Sequence, residues 1–439
     1  MSDSNVKTEK SRSTWNSRIG FILAAAGISI GVGNIWRFPY LVGQNGGGAF
    51  IVAYLVILAV VGIPIMIMEF GVGKYTGKGM IETYIAGTGN KTLGMILGAY
   101  IAIIPVVINM TYIVIIGYAA YYIYASLIGL WTTMPPETIY ANLVADKTLL
   151  LSLFIGLTLL NSYVVYRGIN RGLEFACKIM IPMVFVGLFA LLVRALFLPN
   201  ILAGMNFYMS PDWSYLSRLD VWISAGSQAA FSLGIGPGML IVYGSHLKKK
   251  SDVTLNAVTV SFLDTAVAIL AGFAIIPAVV ALGMSPESGA PLIFIALPTL
   301  FDMIPGGQFL AVLFFLSVFF AGFSSSISHL ETPVTSYMDY FKWSREKAVA
   351  VFTLVTIVGG VIAVFNMQFL DIISVWIGDY CYSLSALLAV LVFGWKLGAD
   401  KIRDEVNIYS NFKLGPSYDF VLKFIATPAL AVIVISSFL

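Results

Sequence analysis

Apolar residues in this chain come in long runs separated by short polar breaks, not in the alternation of half-buried strands or the one-sided stripe of a water-soluble helix. Runs of about 20 residues or more, the length a hydrocarbon core of ~30 Å demands of a helix, cover 18–44, 48–74, 94–128, 148–166, 172–197, 221–247, 254–283, 307–341, 346–367, 370–396 and 417–438. They predict eleven membrane spans. A shorter apolar piece from Pro291 to Ile304 is bounded by Gly and Pro and falls short of crossing, so a re-entrant or surface hairpin is expected near 289–305.

Two of the runs are interrupted. Span one contains Gly27-Ile-Ser-Ile-Gly-Val-Gly-Asn-Ile-Trp-Arg-Phe-Pro39, and span six contains Phe231-Ser-Leu-Gly-Ile-Gly-Pro-Gly238. In hydrocarbon a broken helix leaves backbone N–H and C=O groups without partners, and it persists only where they line a cavity or hold a ligand. Spans one and six each open a half of five spans. Because five is odd, the halves enter the membrane in opposite senses, and paired breaks at matching places in two such halves mark a transporter site on inverted repeats. Two ordinary kinked helices are the plainer alternative. The predicted organisation is a cytoplasmic N-terminal tail over 1–17, a first repeat over 18–197, an extracellular loop over 198–220, a second repeat over 221–397, and a cytoplasmic loop with helix 11 over 398–439.

Composition agrees with this reading. Hydrophobic residues make up 59% of the 439 and charged residues 11%, against roughly 25% charged in soluble domains; mean hydropathy is +0.91. With the N-terminus cytoplasmic, all of the 25 Lys and Arg except Arg37, Lys147, Arg194 and Arg218 fall on the inner side. The net charge of +3 therefore reflects topology, not nucleic-acid binding. The polar start with Lys7, Lys10 and Arg12 precedes a long, broken apolar run without a small-residue cleavage site, and so reads as a retained tail. The C-terminus is expected outside, in an inner (plasma) membrane protein. Cys177 and Cys381 lie in separate apolar runs and suit packing, not metal binding or a disulfide framework.

Trp15-Asn-Ser-Arg18, Gly31-Val-Gly-Asn-Ile-Trp-Arg-Phe-Pro39, Asn45-Gly-Gly-Gly-Ala-Phe50, Gly62-Ile-Pro-Ile-Met-Ile-Met-Glu-Phe70 and Ala321-Gly-Phe-Ser-Ser-Ser326 resemble, in order and over nearly the whole chain, the neurotransmitter:sodium symporters, and among them the prokaryotic amino-acid branch. The resemblance implies an all-α membrane protein of the LeuT-type fold, with 11 transmembrane helices in a 5+5 inverted repeat and helices 1 and 6 unwound. It implies two sodium sites, the first carried by Ser29, Asn34, Ser232 and Asp264, the second by the carbonyls of Gly27, Ile30 and Ala321 with the hydroxyls of Ser324 and Ser325. The substrate carboxylate would meet the amides of Val32 and Gly33 and the Tyr112 hydroxyl, with Phe231 as lid and Ser29 and Ser232 beside it. The substrate side chain would meet Ile108, Phe231, Gly234, Pro237, Ser325 and His329. Gating falls to Arg12, Trp15 and Asp339 on the inside, where His246 takes the place of an aromatic partner, and to Arg37 on the outside. The position matching the outer acid is Ser374, with Asp371 one turn away and Asp379 nearby.

The residues themselves support parts of this set. An acid within the apolar run Val258 to Val280 is costly unless paired or ligating, which makes Asp264 functional by default. By the resemblance, many relatives have Asn there and some give the negative charge to bound chloride; four residues on, where the chloride-independent pattern can place a Glu, this chain has Ala268, so the fixed charge falls to Asp264 and chloride is not expected. Serines in membrane helices also bond their own turn, so Ser324 and Ser325 have a packing alternative. His329 can be an interhelical hydrogen-bonder, but helical register with Ser325 turns it toward the same cavity. Glu69 either holds the unwound backbone of span six or caps a helix end.

The functional expectation is sodium-coupled amino-acid symport by alternating access, with no enzyme chemistry. A pocket widened by Gly234 and ended by His329 favours a ring with a polar tip. Tyrosine comes first, phenylalanine is weaker by about 1–3 kcal/mol for leaving His329 unpaired, and leucine and tryptophan follow. Aliphatic or broad hydrophobic amino acids are the alternative substrates. An ion channel is the rival of another class, since channels also use carbonyl ligands. Oligomeric state is not legible.

Overall fold

With no water in a bilayer core to satisfy backbone groups, runs of this kind close their hydrogen bonds inside helices. In the computed structural model, which describes residues 13–281, 283, 292–366, 368–369, 372–373 and 376–436, all regular elements are helical. In chain order the main ones are α1 (Arg18–Ser29), α2 (Gly33–Gln44), α3 (Gly48–Thr76), α4 (Met80–Thr88), α5 (Lys91–Leu127), α6 (Lys147–Tyr166), α7 (Ile169–Ala195), α8 (Leu219–Leu233), α9 (Met239–Ser245), α10 (Val253–Ala281), α11 (Leu292–Met303), α12 (Gly307–Phe341), α13 (Arg345–Phe365), α14 (Trp376–Asn407) and α15 (Pro416–Ser436). Among the described residues nine helices are long and apolar enough to cross a membrane, and α1 with α2, bent by 56° at their break, makes a tenth. The remaining predicted span, 221–247, is divided between α8 and α9, of 15 and 7 residues, neither able to cross alone.

The centre is built on α5 and α12, 37 and 35 residues long, which pack on each other; α12 also packs on α7, and α9 on α3. Outward-facing Phe189, Phe262, Leu354 and Phe424 are exposed, the surface expected where lipid is the solvent. Past 397, where the second repeat was expected to close and a loop to begin, α14 breaks at Gly398 (φ 106°) and a helical segment runs on to Asn407. Its charged stretch Asp400–Glu405 resembles a loop, but Ile402 and Val406, one turn apart, bury against Gly71 of α3. The piece near 289–305, described only from 292, is the packed helix α11, anchored by Phe294 among Tyr118, Tyr122, Tyr140 and Phe315.

Candidate functional site

Both breaks follow from local chemistry. At the first, Ile30 leaves the helix with an extended backbone, and the chain resumes at Gly33 through a π-helical turn. Asn34 folds back, its Oδ1 accepting the Gly31 amide at 3.0 Å. At the second, Gly234, Gly236 and Gly238 all have positive φ (65°, 103° and 82°), the left-handed region that side chains resist. Gly236 has a second constraint: a Cβ there would lie 2.5 Å from the Ala386 nitrogen of α14. Its amide is held by Glu69 Oε1 at 2.8 Å, so the helix-holding reading of Glu69 is the one realised.

Beside the breaks lie two oxygen-rich clusters. In the first, Asn34 Nδ2 donates to Asp264 Oδ1 (2.7 Å), the Asp264 carbonyl (3.1 Å) and Ser232 Oγ (3.1 Å). Ser232 Oγ donates to both Asp264 oxygens at 2.9 and 3.0 Å, and Tyr54 Oη donates to Oδ2 at 3.3 Å. Asp264 is fully buried, and none of the ion pairs among the described residues involves it. A buried carboxylate held only by neutral donors is an uncompensated charge that a cation would relieve. Ser29 stands apart, its Oγ donating to the Leu233 carbonyl at 3.2 Å and so tying one break to the other.

In the second cluster one hydroxyl faces four carbonyls. Ser325 Oγ lies 3.1, 3.3, 3.4 and 3.2 Å from the oxygens of Gly27, Ile28, Ile30 and Ala321, and Ser324 Oγ donates to Ala321 O at 3.0 Å. A single proton satisfies few of these acceptors, whereas a hard cation takes oxygens from every side.

Between the clusters is a small cavity lined by Ile28, Ser29, Gly31, Gly33, Asn34, Ile108, Tyr112, Phe231, Ser232, Gly234, Met239, Ser325, His329 and Tyr382. Its free volume is about 20 Å³, room for about one water and well below the roughly 300 Å³ of typical small-molecule sites. The Val32 amide donates to Tyr112 Oη at 3.0 Å, so the two groups expected at a carboxylate already stand together. Across the Phe231 ring lies a second space of about 220 Å³, lined by Val32, Trp36, Arg37, Thr111 and Ile115 with shared residues. Val32 lines the outer space, while its amide is turned to Tyr112 at the inner cavity. Pro237 lines neither; of its left-handed neighbours Gly236 packs against α14 and Gly238 against Met80 of α4.

His329 Nε2 is 3.1 Å from Tyr382 Oη, while its buried Nδ1 has no partner. The sequence reading missed Tyr382, Tyr54 and Met239, whose apolar runs carry no local signal; only the packing of α14 and α3 brings the two tyrosines to the site.

On the N-terminal side Trp15 is buried, donating from Nε1 to Tyr243 O at 3.0 Å, and His246 Nδ1 lies 2.7 Å from Ser13 O. Asp339 Oδ2 accepts the Gly79 amide at 2.7 Å. Arg37 Nη2 donates to Ser227 Oγ at 3.1 Å, with its guanidinium 5.5 Å from the Phe231 ring centre. Arg12, Asp371, Ser374 and the side chain of Asp379 lie outside the described residues.

Two interrupted helices that meet at mid-bundle, with carbonyl-rich clusters and a closed cavity between them, are the architecture of a secondary transporter, for which the symporter family is itself a standard instance. The sequence profile of the Sodium:neurotransmitter symporter family matches residues 12–142 and 138–439. An uncharacterized sodium-dependent transporter of Methanocaldococcus jannaschii is 37% identical over 429 residues, 92% of this chain and 86% of that protein. Another, of Haemophilus influenzae, is 29% identical over 98% of both chains. The crystal structure of MhsT in complex with L-phenylalanine superposes with a TM-score of 0.87 at 33% identity, covering 97% of this chain and all of that one. The chain belongs to the sodium:neurotransmitter symporter family: a multi-pass, sodium-dependent transporter of the LeuT-type fold, not an enzyme.

Proposed function

We propose that the protein couples the inward sodium gradient to uptake of an amino acid with an aromatic side chain, by alternating access around the two helix breaks. The observation that carries this is the pairing of two oxygen clusters with one amide-lined cavity. Asp264, Asn34 and Ser232, joined by the carbonyl of Ser29 as the family resemblance implies, form the first sodium site. The carbonyls of Gly27, Ile30 and Ala321 with Ser324 and Ser325 form the second. The carboxylate of the substrate takes the Val32 and Gly33 amides and the Tyr112 hydroxyl. Chloride is not required, because Asp264 supplies the charge.

The cavity must widen to admit a ring, and its walls allow this: Phe231 separates it from the outer space, and Met239 is an adaptable side chain. MhsT, the structural neighbour, is titled as a complex with L-phenylalanine, which supports the aromatic class. Tyrosine remains the first choice, but by a smaller margin than sequence reasoning implied. Since His329 Nε2 already has Tyr382, only Nδ1 awaits a partner, worth about 1 kcal/mol or roughly fivefold. The protein is placed in the cytoplasmic (plasma) membrane with its basic loops inside, as two five-span repeats over 18–197 and 221–397.

The test is flux of radiolabelled amino acids into proteoliposomes with and without a sodium gradient. Gradient-driven accumulation of tyrosine and phenylalanine, abolished when potassium replaces sodium, is expected. Sodium conductance without accumulation would instead identify a channel.

A further inference from the structure

A second cavity, of about 360 Å³, lies on the side that carries the N-terminus, away from the breaks. Its walls include Trp15, Arg18, Lys248, Lys250, Asp252 and Asn256. Three cations face it. Arg18 Nε donates to Asn256 Oδ1 at 3.0 Å and Lys248 Nζ to the Asn16 carbonyl at 3.0 Å; none of the three cations makes an ion pair among the described residues. The one acid in the wall, Asp252, is already engaged: Oδ1 accepts Leu255 N (2.9 Å) and Ser410 Oγ (3.0 Å), and Oδ2 accepts Asn411 N (2.8 Å). The wall thus sets three cations against one carboxylate, which the Arg18 charge also faces, with the side-chain amides of Asn256 and Asn411 beside them; that net positive charge suits a phosphate.

Its depth selects the source of that phosphate. α1 starts at Arg18, α10 starts at Val253 and α15 starts at Pro416, so the cavity sits where membrane-spanning helices end. That is headgroup level, and basic pockets between helices at this level take anionic lipids. The surrounding Ile19, Tyr409 and Phe412 are exposed and apolar, a surface for acyl chains.

We propose that this cavity binds the headgroup of an anionic phospholipid, and that the bound lipid holds the N-terminal side of the transporter closed. The second part follows from what the walls belong to. Trp15 and Arg18 belong to the segment that leads into α1, while Lys248 and Lys250 follow α9, and the two already meet where Lys248 Nζ donates to the Asn16 carbonyl. One phosphate bridging them binds only while the two stay together, and a ligand that binds one state favours it.

The experiment uses the full-length protein in neutral detergent, with retained lipid counted by native mass spectrometry during titration with phosphatidylglycerol or phosphatidylcholine. One tightly retained phosphatidylglycerol is expected. Lys248→Gln with Lys250→Gln should weaken retention about 30-fold, roughly fivefold for each cation. Lys248→Arg with Lys250→Arg should keep it, as should Lys249→Gln, whose side chain is not in the wall. Equal loss with Lys249→Gln, failure of the arginine pair, or no preference for phosphatidylglycerol overturns the site. Glycerol phosphate binding as tightly as the lipid would make the ligand a soluble anion and overturn the lipid assignment. In proteoliposomes, phosphatidylglycerol should tighten substrate half-saturation severalfold for the native protein and not for the double Gln variant. Retained lipid without that effect refutes the stapling role alone. The mass measurement needs no transport, so it fails or succeeds independently of the proposed function.

Discussion

Asp264→Asn is the sharpest perturbation of the proposed sodium chemistry, because it removes a charge while leaving the shape. The amide oxygen can still accept from Asn34, which reaches Oδ1 at 2.7 Å, and the new NH2 group can turn to Tyr54 Oη, now 3.3 Å from Oδ2. Packing at this fully buried position is therefore expected to survive. What is lost is the attraction between a carboxylate and an adjacent cation, about 4 kcal/mol for unit charges 4 Å apart at an effective dielectric near 20. Part of this is offset, since the native carboxylate is itself desolvated when no cation is bound. A net loss of about 2–3 kcal/mol corresponds to a sodium half-saturation roughly 30- to 150-fold higher. The assay is binding of labelled substrate to purified protein as sodium replaces potassium at constant ionic strength, run once in chloride and once in gluconate. The variant should titrate far to the right in gluconate and recover in part in chloride, where an anion can stand in for the missing charge. A half-saturation within twofold of native, identical in the two salts, would refute the assignment of Asp264.

Removing both hydroxyls with Ser324→Ala and Ser325→Ala should raise the sodium half-saturation at least tenfold, since each ligand is worth about 1–3 kcal/mol; an unmoved titration in a folded variant leaves only helix packing. Tyr382→Phe frees His329 Nε2, so tyrosine should gain on phenylalanine in competition for the site, and an unchanged ratio removes the pair from substrate choice. Gly236→Ala forces a side chain into φ 103° and against α14, a cost of at least about 2 kcal/mol; the melting temperature should fall by several degrees, and a native-like melt would show that the break tolerates a Cβ.

The order of spans, the two breaks and most of the clustered residues were legible because lipid leaves few choices. Backbone that departs from a helix in hydrocarbon must serve something, and polar residues in apolar runs stand out against a uniform background. Asn34, Asp264 and Ser325 are visible for that reason. Residues whose type fits an apolar run are not. Tyr54 and Tyr382 read as ordinary membrane aromatics until α3 and α14 pack beside the breaks, and the helical segment past Gly398, through Asp400–Glu405, rests on Ile402 and Val406 meeting Gly71. The same holds for pocket size, where the sequence implied a widened site and the packed structure leaves about 20 Å³ beneath Phe231. Hydrophobicity and backbone satisfaction are properties of each segment, so the sequence alone determined what crosses the membrane and where it is interrupted. Which side chains meet, how closely, and how much space they leave depends on helices distant in the chain, and these emerge when the bundle packs.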